Sequence, residues 1–332
     1  MKAAAEHYKG RKILVTGSAG FIGSSLVKAL SRVDCTLVCC NRNGESPETS
    51  NLTKAHMMTH KMDIRNPSIW DDILEGVDVV FHFAAQTSAG FANQHPTADL
   101  DVNVAPITRF LETCQQKGIR PDMVFPGTVT EAGLTRTFPV DESIRDNPIT
   151  IYDINKLSAE NYLSYYAGQL GGRSVTLRLA NIYGPGPKSG RPDRGILNMM
   201  VMRALEGKPL TVYGDGNFVR DYLFIDDAIK AFLLAGARLN KTSGRHYVVG
   251  SGVGHTIREM IKTVQELTTE LSGKRVALNH IATPSDLSPI ETRNFVADTT
   301  RLRADSGWLP QVSLEEGVSR TITFFLERQQ KP

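Results

Sequence analysis

Tyr152 and Lys156 stand four residues apart in Tyr152-Asp153-Ile154-Asn155-Lys156. On a helix that spacing puts a phenol and an ammonium on one face, about 6 Å apart along the axis. A lysine beside a tyrosine favours the phenolate, which makes Tyr152 a candidate general acid or base. The pairing alone is common on solvated helix surfaces, so its weight comes from its neighbours. Val124-Phe125-Pro126-Gly127-Thr128 reads as a strand whose end brings the Thr128 hydroxyl to the same crevice. A second segment with chemistry to offer lies near the amino terminus. There Ile13-Leu14-Val15-Thr16 runs into Gly17-Ser18-Ala19-Gly20-Phe21-Ile22-Gly23, with three glycines at a strand-to-helix turn. Such a turn lets backbone N–H groups and the positive end of a helix face a pyrophosphate. A strand before it and a helix after it point to dinucleotide binding rather than to close helix packing alone.

The end of the second strand selects the dinucleotide, because an acid there usually accepts the ribose 2′-hydroxyl of NAD. This chain has Cys39-Cys40-Asn41-Arg42-Asn43, with no carboxylate until Glu45. The planar fork of Arg42, with Asn41 beside it, suits a 2′-phosphate, so NADP(H) is favoured and NAD(H) stays open. Asp63, which ends the third strand and precedes Ile64, is expected either to accept from the adenine amino group or to cap the next loop.

These residues need a scaffold that gathers strand ends. Apolar runs at Lys12 to Thr16, Thr36 to Cys40, Met57 to Met62, Asp78 to Phe83, Asp122 to Phe125 and Ser174 to Leu179 read as strands. Between them lie segments of helical periodicity: Phe21 to Ser31, a helix opened by Asn66-Pro67 and ending before Gly76, and Ala98 to Lys117 closed by Gly118. Strands alternating with helices give an α/β, Rossmann-like doubly wound parallel sheet, which binds ligands outside the carboxyl ends of its strands. Gly184-Pro185-Gly186-Pro187 and Ser189-Gly190-Arg191-Pro192 break the pattern and open a smaller carboxyl-terminal α/β lobe. Its elements are helices at Ile196 to Glu206, Asp227 to Leu239, Ile257 to Leu271 and Leu314 to Glu327, with strands at Leu210 to Tyr213 and Asp221 to Ile225. The division expected is a dinucleotide domain from 11–183 and 220–251, and a substrate lobe from 184–219 and 252–332.

Composition excludes other classes. The chain has 332 residues, 38 Lys+Arg against 35 Asp+Glu, a net charge of +3, and no basic block of the kind that binds nucleic acid. No apolar run approaches the roughly 20 residues of a membrane span, and the opening residues lack the hydrophobic stretch of a signal peptide, so a cytoplasmic location is expected. The four cysteines, Cys35, Cys39, Cys40 and Cys114, form no C-x-x-C pair, so neither a metal site nor a disulfide framework is legible. Cys39 and Cys40, in an apolar segment, are expected to be core residues.

Taken together, the sequence resembles an extended short-chain dehydrogenase/reductase of the nucleotide-sugar epimerase/dehydratase superfamily. The matching residues are the glycine turn, His82-Phe83-Ala84-Ala85-Gln86, Thr128, Tyr152 with Lys156, Asn181-Ile182-Tyr183-Gly184-Pro185, and Tyr213-Gly214-Asp215-Gly216 through Arg220-Asp221 to Ile225-Asp226-Asp227. The resemblance implies roles for them. Gly17, Ala19, Gly20, Phe21, Ile22, Gly23, Ile64, Phe83, Ala84 and Ala85 would line the cofactor. Thr128 would hydrogen-bond the reacting sugar oxygen, Tyr152 would transfer its proton, and Lys156 would hold the nicotinamide ribose. Thr130 and Asn181 would contact the nucleotide sugar, while Arg220 and Arg293 would clamp its diphosphate, for which a guanidinium fork is suited.

The same scaffold hosts several reactions. Related dehydratases follow the catalytic threonine with an Asp-Glu pair, where this chain has Val129 and Thr130, so elimination of water is not expected. The stretches 125–133, 147–153 and 184–195 resemble 4-ketoreductases of deoxysugar synthesis. They imply NADPH-dependent reduction of a nucleotide-linked 4-keto-6-deoxyhexose. An NAD-dependent 4-epimerase is the alternative, and a non-catalytic dinucleotide sensor is disfavoured because both Tyr152 and Lys156 are present. Relatives pair through helices matching Ala98 to Lys117 and Tyr152 to Gln169. A homodimer is therefore expected, with Leu100, Val104, Ile107 and Leu111 spaced for an apolar face.

Overall fold

The computed structural model describes residues 2–49, 53–187, 195–284 and 288–329, so Ser189-Gly190-Arg191-Pro192 lies outside the described residues. The first strands are β1 (Lys12–Thr16), β2 (Thr36–Asn41), β3 (His56–Lys61), β4 (Val79–His82), β5 (Asp122–Thr128) and β6 (Ser174–Leu179). They are followed by β7 (Asn181–Tyr183), β8 (Leu210–Tyr213), β9 (Val219–Phe224), β10 (Arg245–Val249), β11 (Gly254–Thr256) and β12 (Leu278–Ile281). Seven of these form one sheet in the order β10-β6-β5-β4-β1-β2-β3, parallel at every pairing. The order reverses between β1 and β4, which opens a crevice at their carboxyl ends. β7 and β11 flank β9 in a small second sheet, and β12 pairs with β8.

The helices through the first half are α1 (Lys2–Tyr8), α2 (Phe21–Leu30), α3 (Ile69–Ile73), α4 (Ala89–Gln94), α5 (Pro96–Asn103), α6 (Ala105–Lys117) and α7 (Ile151–Gln169). Those that follow are α8 (Ile196–Leu205), α9 (Ile225–Ala237), α10 (Leu239–Thr242), α11 (Ile257–Ser272), α12 (Thr300–Ser306) and α13 (Leu314–Gln329). Successive strand residues face opposite sides of the sheet. Ile13 and Val15 enter one core with Phe81, Leu177, Tyr247 and the residues of α9. Leu14 enters the other with Val80, Phe125, Trp70, Phe110 and Tyr166. Both faces are covered by helices, as an all-parallel sheet requires.

Three local expectations change. The helix expected from Ala98 to Lys117 is two helices broken at Val104. Pro106, in the first turn of α6, has no N–H to return to the preceding helix. Gly118 closes α6 in the left-handed region at φ 66. The helix assigned to an Asn66 cap starts at Ile69 with Ser68 as its cap, because Asn66 Oδ1 instead accepts from the Ser68 N–H at 3.3 Å in a local turn. β10, Arg245-His246-Tyr247-Val248-Val249, completes the sheet edge as a strand that the sequence pattern does not single out.

Cys35, Cys39, Cys40 and Cys114 are buried free thiols. Burial pushes Cys35 and Cys114 up to about 11 and Cys39 and Cys40 up to about 12. Among the described residues no helix is long and apolar enough to cross a membrane.

Candidate active site

The glycine turn is shaped by close contact. Gly17 has φ +65, and a Cβ there would lie 2.7 Å from the Ala84 nitrogen and from the Phe83 carbonyl carbon. A Cβ on Gly23 would lie 2.2 Å from the Gly17 oxygen. The turn therefore packs against the end of β4, bringing Gly17, Phe83 and Ala84 together. Gly20 caps α2 without a side-chain hydrogen bond, leaving the first N–H groups of a ten-residue helix for an anion. Backbone packed this closely, with Ala19, Phe21 and Ile22 around it, fits a dinucleotide pyrophosphate.

The adenosine end departs from expectation. Asn41 is buried, and its amide donates to Ser18 Oγ at 3.0 Å and to the Glu45 carbonyl at 2.8 Å. Its Oδ1 accepts from the N–H groups of Asn43, Gly44 and Glu45. Both amide hydrogens are used, so Asn41 shapes the loop instead of reaching a 2′-phosphate. Arg42 is exposed. Asp63 is gripped by Arg65 through Nε and Nη2, at 3.0 and 2.6 Å, and accepts the Arg65 N–H as well. The Arg65 bond holds its carboxyl well below the usual range. Of its two expected roles, the loop cap is the one these contacts serve, while Ile64 beside it is buried.

Lys156 is buried, with Nζ 3.9 Å from the centroid of the Phe125 ring on β5. It thus points beneath the strand that ends in Thr128. Burial lowers it to about 8, opposed by the charges of Glu131, Asp99 and Glu160. Asp99, on α5, accepts from Gln86 at 2.7 Å, Asn103 at 3.0 Å and Asn155 at 2.7 Å. It therefore ties β4's outgoing loop to the helix that carries Tyr152 and Lys156. Tyr152 itself is half-buried in the first turn of α7.

Thr128 caps a 3-10 turn at Val129–Ala132, where the Thr-x-x-Glu pattern of a capping box recurs. Glu131 Oε1 accepts the Thr128 N–H at 2.8 Å. Thr128 Oγ1 lies 2.8 Å from Thr130 Oγ1, and Thr130 donates to Asp153 Oδ1. Beneath them Arg178 of β6 contacts Glu131 at 2.9 Å, Asp146 at 2.5 Å and Glu160 at 2.7 Å. His246 adds a 3.1 Å contact to Glu160. Burial and the Glu160 charge push Glu131 up. Burial also opposes charge on Glu160, but the His246 and Arg178 bonds prevail and keep it ionised.

His82 is 1% exposed, stacked on Phe125, with Nδ1 2.9 Å from Thr16 Oγ1. Burial, helped by the Lys156 charge, lowers it to about 3. Between pH 6.5 and about 3 the unfolded chain takes a proton that the folded one refuses, so stability falls on acidification. From pH 7 to 5 the wild type should lose about 2 kcal/mol more than His82→Asn in urea titrations. Equal losses would refute the neutral buried imidazole.

On the lobe side, Asn181 pairs with Tyr222 across β7 and β9. Arg220 is buried and donates to the carbonyls of Glu291, at 2.7 Å, and Arg293. Arg293 donates to the Ile290 carbonyl at 2.9 Å, while its Nε and the Tyr222 hydroxyl are buried without hydrogen-bond partners. Each guanidinium is lowered first by burial, and Arg220 further by the charge of Arg293. Two neighbouring cations, Arg220 buried and Arg293 half-buried with an unfilled donor, make a fitting place for an anion. Asp221, on the opposite face of β9, accepts from the N–H groups of Ser251, Gly252 and Ala297.

Sequence reading missed Asp99, Glu131, Asp153, Arg178 and Tyr222. Glu131 had a local signal in its capping-box spacing, and Arg178 interrupts a strand buried along its whole length. Asp153 stands three residues after its partner Thr150, a local helix-capping spacing, while Asp99 and Tyr222 are recognisable through residues distant in sequence.

Residues 13–250 match the family described as the NAD dependent epimerase/dehydratase family. The chain belongs to that family. The UDP-glucose 4-epimerase of Mycolicibacterium smegmatis is 31% identical over 327 residues, covering 96% of this chain and 100% of the relative. A Thermotoga maritima UDP-glucose 4-epimerase solved with UDP-glucose superposes with TM-score 0.84 at 30% identity, covering 96% of this chain and 100% of that one. A Thermus thermophilus UDP-glucose 4-epimerase solved with NAD gives TM-score 0.78 at 30% identity, covering 95% and 99%. The resemblance read from motifs therefore holds at family level, and the named relatives weigh towards the epimerase alternative rather than the ketoreductase.

Proposed function

We propose that this protein interconverts the C4 epimers of a nucleotide-diphosphate hexose, using NAD held through the cycle. The observation that carries this reading is the commitment of both carboxylates near Thr128. Glu131 serves the Thr128 N–H and Arg178, and Asp153 serves Thr130 and Thr150. Neither is free to protonate a leaving hydroxyl, so the site suits proton and hydride transfer at C4 alone. The sequence relatives weigh the same way.

A bound nicotinamide supplies reversible hydride acceptance at C4. Tyr152 takes the 4-hydroxyl proton as the C4–H bond breaks, and returns it after the 4-ketosugar has turned its other face. Thr128 holds the 4-oxygen, and buried Lys156 holds the ribose and keeps positive charge beneath the phenol. Asn181 holds the sugar nucleotide and Arg293 with Arg220 holds its diphosphate, where the dinucleotide domain of 11–183 and 220–251 meets a lobe formed by 184–219 and 252–332.

The test is interconversion of UDP-galactose and UDP-glucose without added reductant, with NAD identified after denaturation. Absence of both would overturn the reading. A second reading, the NADPH-dependent 4-ketoreductase, is favoured by exposed Arg42 at a strand end with no adjacent carboxylate. Loss of NADPH absorbance with a nucleotide-linked 4-keto-6-deoxyhexose would establish it.

We also infer a homodimer, through a different face from the one read in sequence. Ile107 and Leu111 lie in the core and Val104 is buried. Among the exposed apolar residues are Leu100 on α5 and Ile154, Tyr162 and Tyr165 along α7. A monomer mass by equilibrium sedimentation would refute it.

A further inference from the structure

Asp99 is wholly buried, and among the described residues its side-chain partners are three neutral amides. Oδ1 accepts from Gln86 and Asn103, and Oδ2 accepts from Asn155. Gln86 is fixed in that orientation because its own Oε1 accepts the Ser88 N–H at 2.6 Å, and the Asn103 amide also donates to the Gln86 carbonyl at 3.0 Å. Every contact is a donor to Asp99, which is the arrangement of an ionised carboxyl. A buried charge without a counter-charge is costly. The other two acids whose charge reaches Lys156 have cations of their own: Glu131 and Glu160 contact Arg178, and Glu160 also contacts His246. His82 faces Lys156 from β4 as a neutral ring. One carboxylate without a cation therefore stands beside one ammonium, Lys156, that rests on the Phe125 ring instead of on an acid. Asn155, which holds Oδ2, directly precedes Lys156 on α7 and so fixes the acid to the same turn of helix.

We propose that Asp99 is a positioning residue for the proton transfer, a fixed counter-charge that keeps the buried Lys156 ammonium protonated and so sets the pH range in which Tyr152 and Lys156 work as a pair. A negative charge favours the protonated form of each titratable neighbour. Removing it lets both Tyr152 and Lys156 give up their protons at lower pH. The pH–rate bell of the reaction then moves bodily to the acid side, whereas loss of a merely structural contact lowers the bell without moving it. The inference rests on the epimerase reading and deepens it.

Profiles of kcat/KM against pH test it, with UDP-galactose and the cofactor-loaded enzyme, in Asp99→Asn and Asn155→Ala. Asp99→Asn removes the charge and keeps the shape. Its Oδ1 still accepts from Gln86 and Asn103, and its new amide donates to Asn155 once that side chain turns over. Both limbs of the bell, which report Tyr152 and Lys156 as a coupled pair, should move down by about one pH unit. On the alkaline limb that displacement costs about tenfold in rate at fixed pH. Asn155→Ala removes a hydrogen bond and leaves the charge, so its limbs should stay where those of the wild type are. Limbs of Asp99→Asn that stay in place or move to higher pH, or an equal displacement in Asn155→Ala, would each overturn the inference. If Asp99→Asn does not fold, Asp99→Ser, neutral and small enough to leave room for a water, is held to the same displacement. An active wild type whose neutral variant keeps its limbs sinks this inference only; a wild type that converts no nucleotide sugar sinks the epimerase reading, and this inference with it.

Discussion

Tyr152→Phe should lower kcat by about a hundredfold to ten-thousandfold with little change in the KM for nucleotide sugar. The change removes one oxygen and keeps the ring that half-fills the first turn of α7. In the proposed function sugar nucleotide binding falls to other groups: Asn181 on β7, and Arg293 on the segment that Arg220 holds. A loss seen only in turnover is the signature of a group needed in the transition state and not in binding. Steady-state kinetics on a variant with unchanged bound cofactor provides the check. Full activity in the Phe variant would remove the phenol from the reaction and leave the fold assignment untouched.

The second large effect is on stability. Arg178→Met should cost about 3–5 kcal/mol at neutral pH, since removing one partner leaves buried charge uncompensated. Arg178 is 4% exposed in its side chain and contacts Glu131, Asp146 and Glu160, of which Glu131 is fully buried and Glu160 nearly so. Without the guanidinium these acids would ionise less readily than in the unfolded chain. A carboxyl whose folded value is raised binds more protons folded than unfolded, so the variant's deficit should shrink as pH falls. Adding Glu131→Gln and Glu160→Gln should recover much of the loss. Urea unfolding at two pH values measures both expectations, and a deficit under about 1 kcal/mol would show that the network is solvated.

How much of this is readable in the sequence follows from what is local. The glycine turn, the strand running into Thr128 and the Tyr152/Lys156 pair are short-range patterns, and the fold places Lys156 Nζ 3.9 Å from the centroid of the Phe125 ring on that strand. β1 and β6 match their expected bounds residue for residue because β-branched and apolar residues dominate both. What failed depended on competition between local and distant partners. Asn41 has the right position for a ribose, yet Ser18 and the Glu45 loop claim its amide. Asp63 meets Arg65 two residues away, which serves the loop-cap alternative and not the adenine contact. The apolar spacing on α6 does mark a face, but periodicity does not say whether that face meets its own sheet or a second copy. Asp99 looks like an ordinary helix acid, and only Gln86, Asn103 and Asn155 reveal what it organises.

The four sealed sulfurs carry a practical corollary. Since each is at most 5% exposed and held in its unreactive protonated form, alkylating reagents should meet them only after the chain opens. Labelling kinetics would then clock global unfolding without any engineered probe, and the enzyme should store well in air without added reductant.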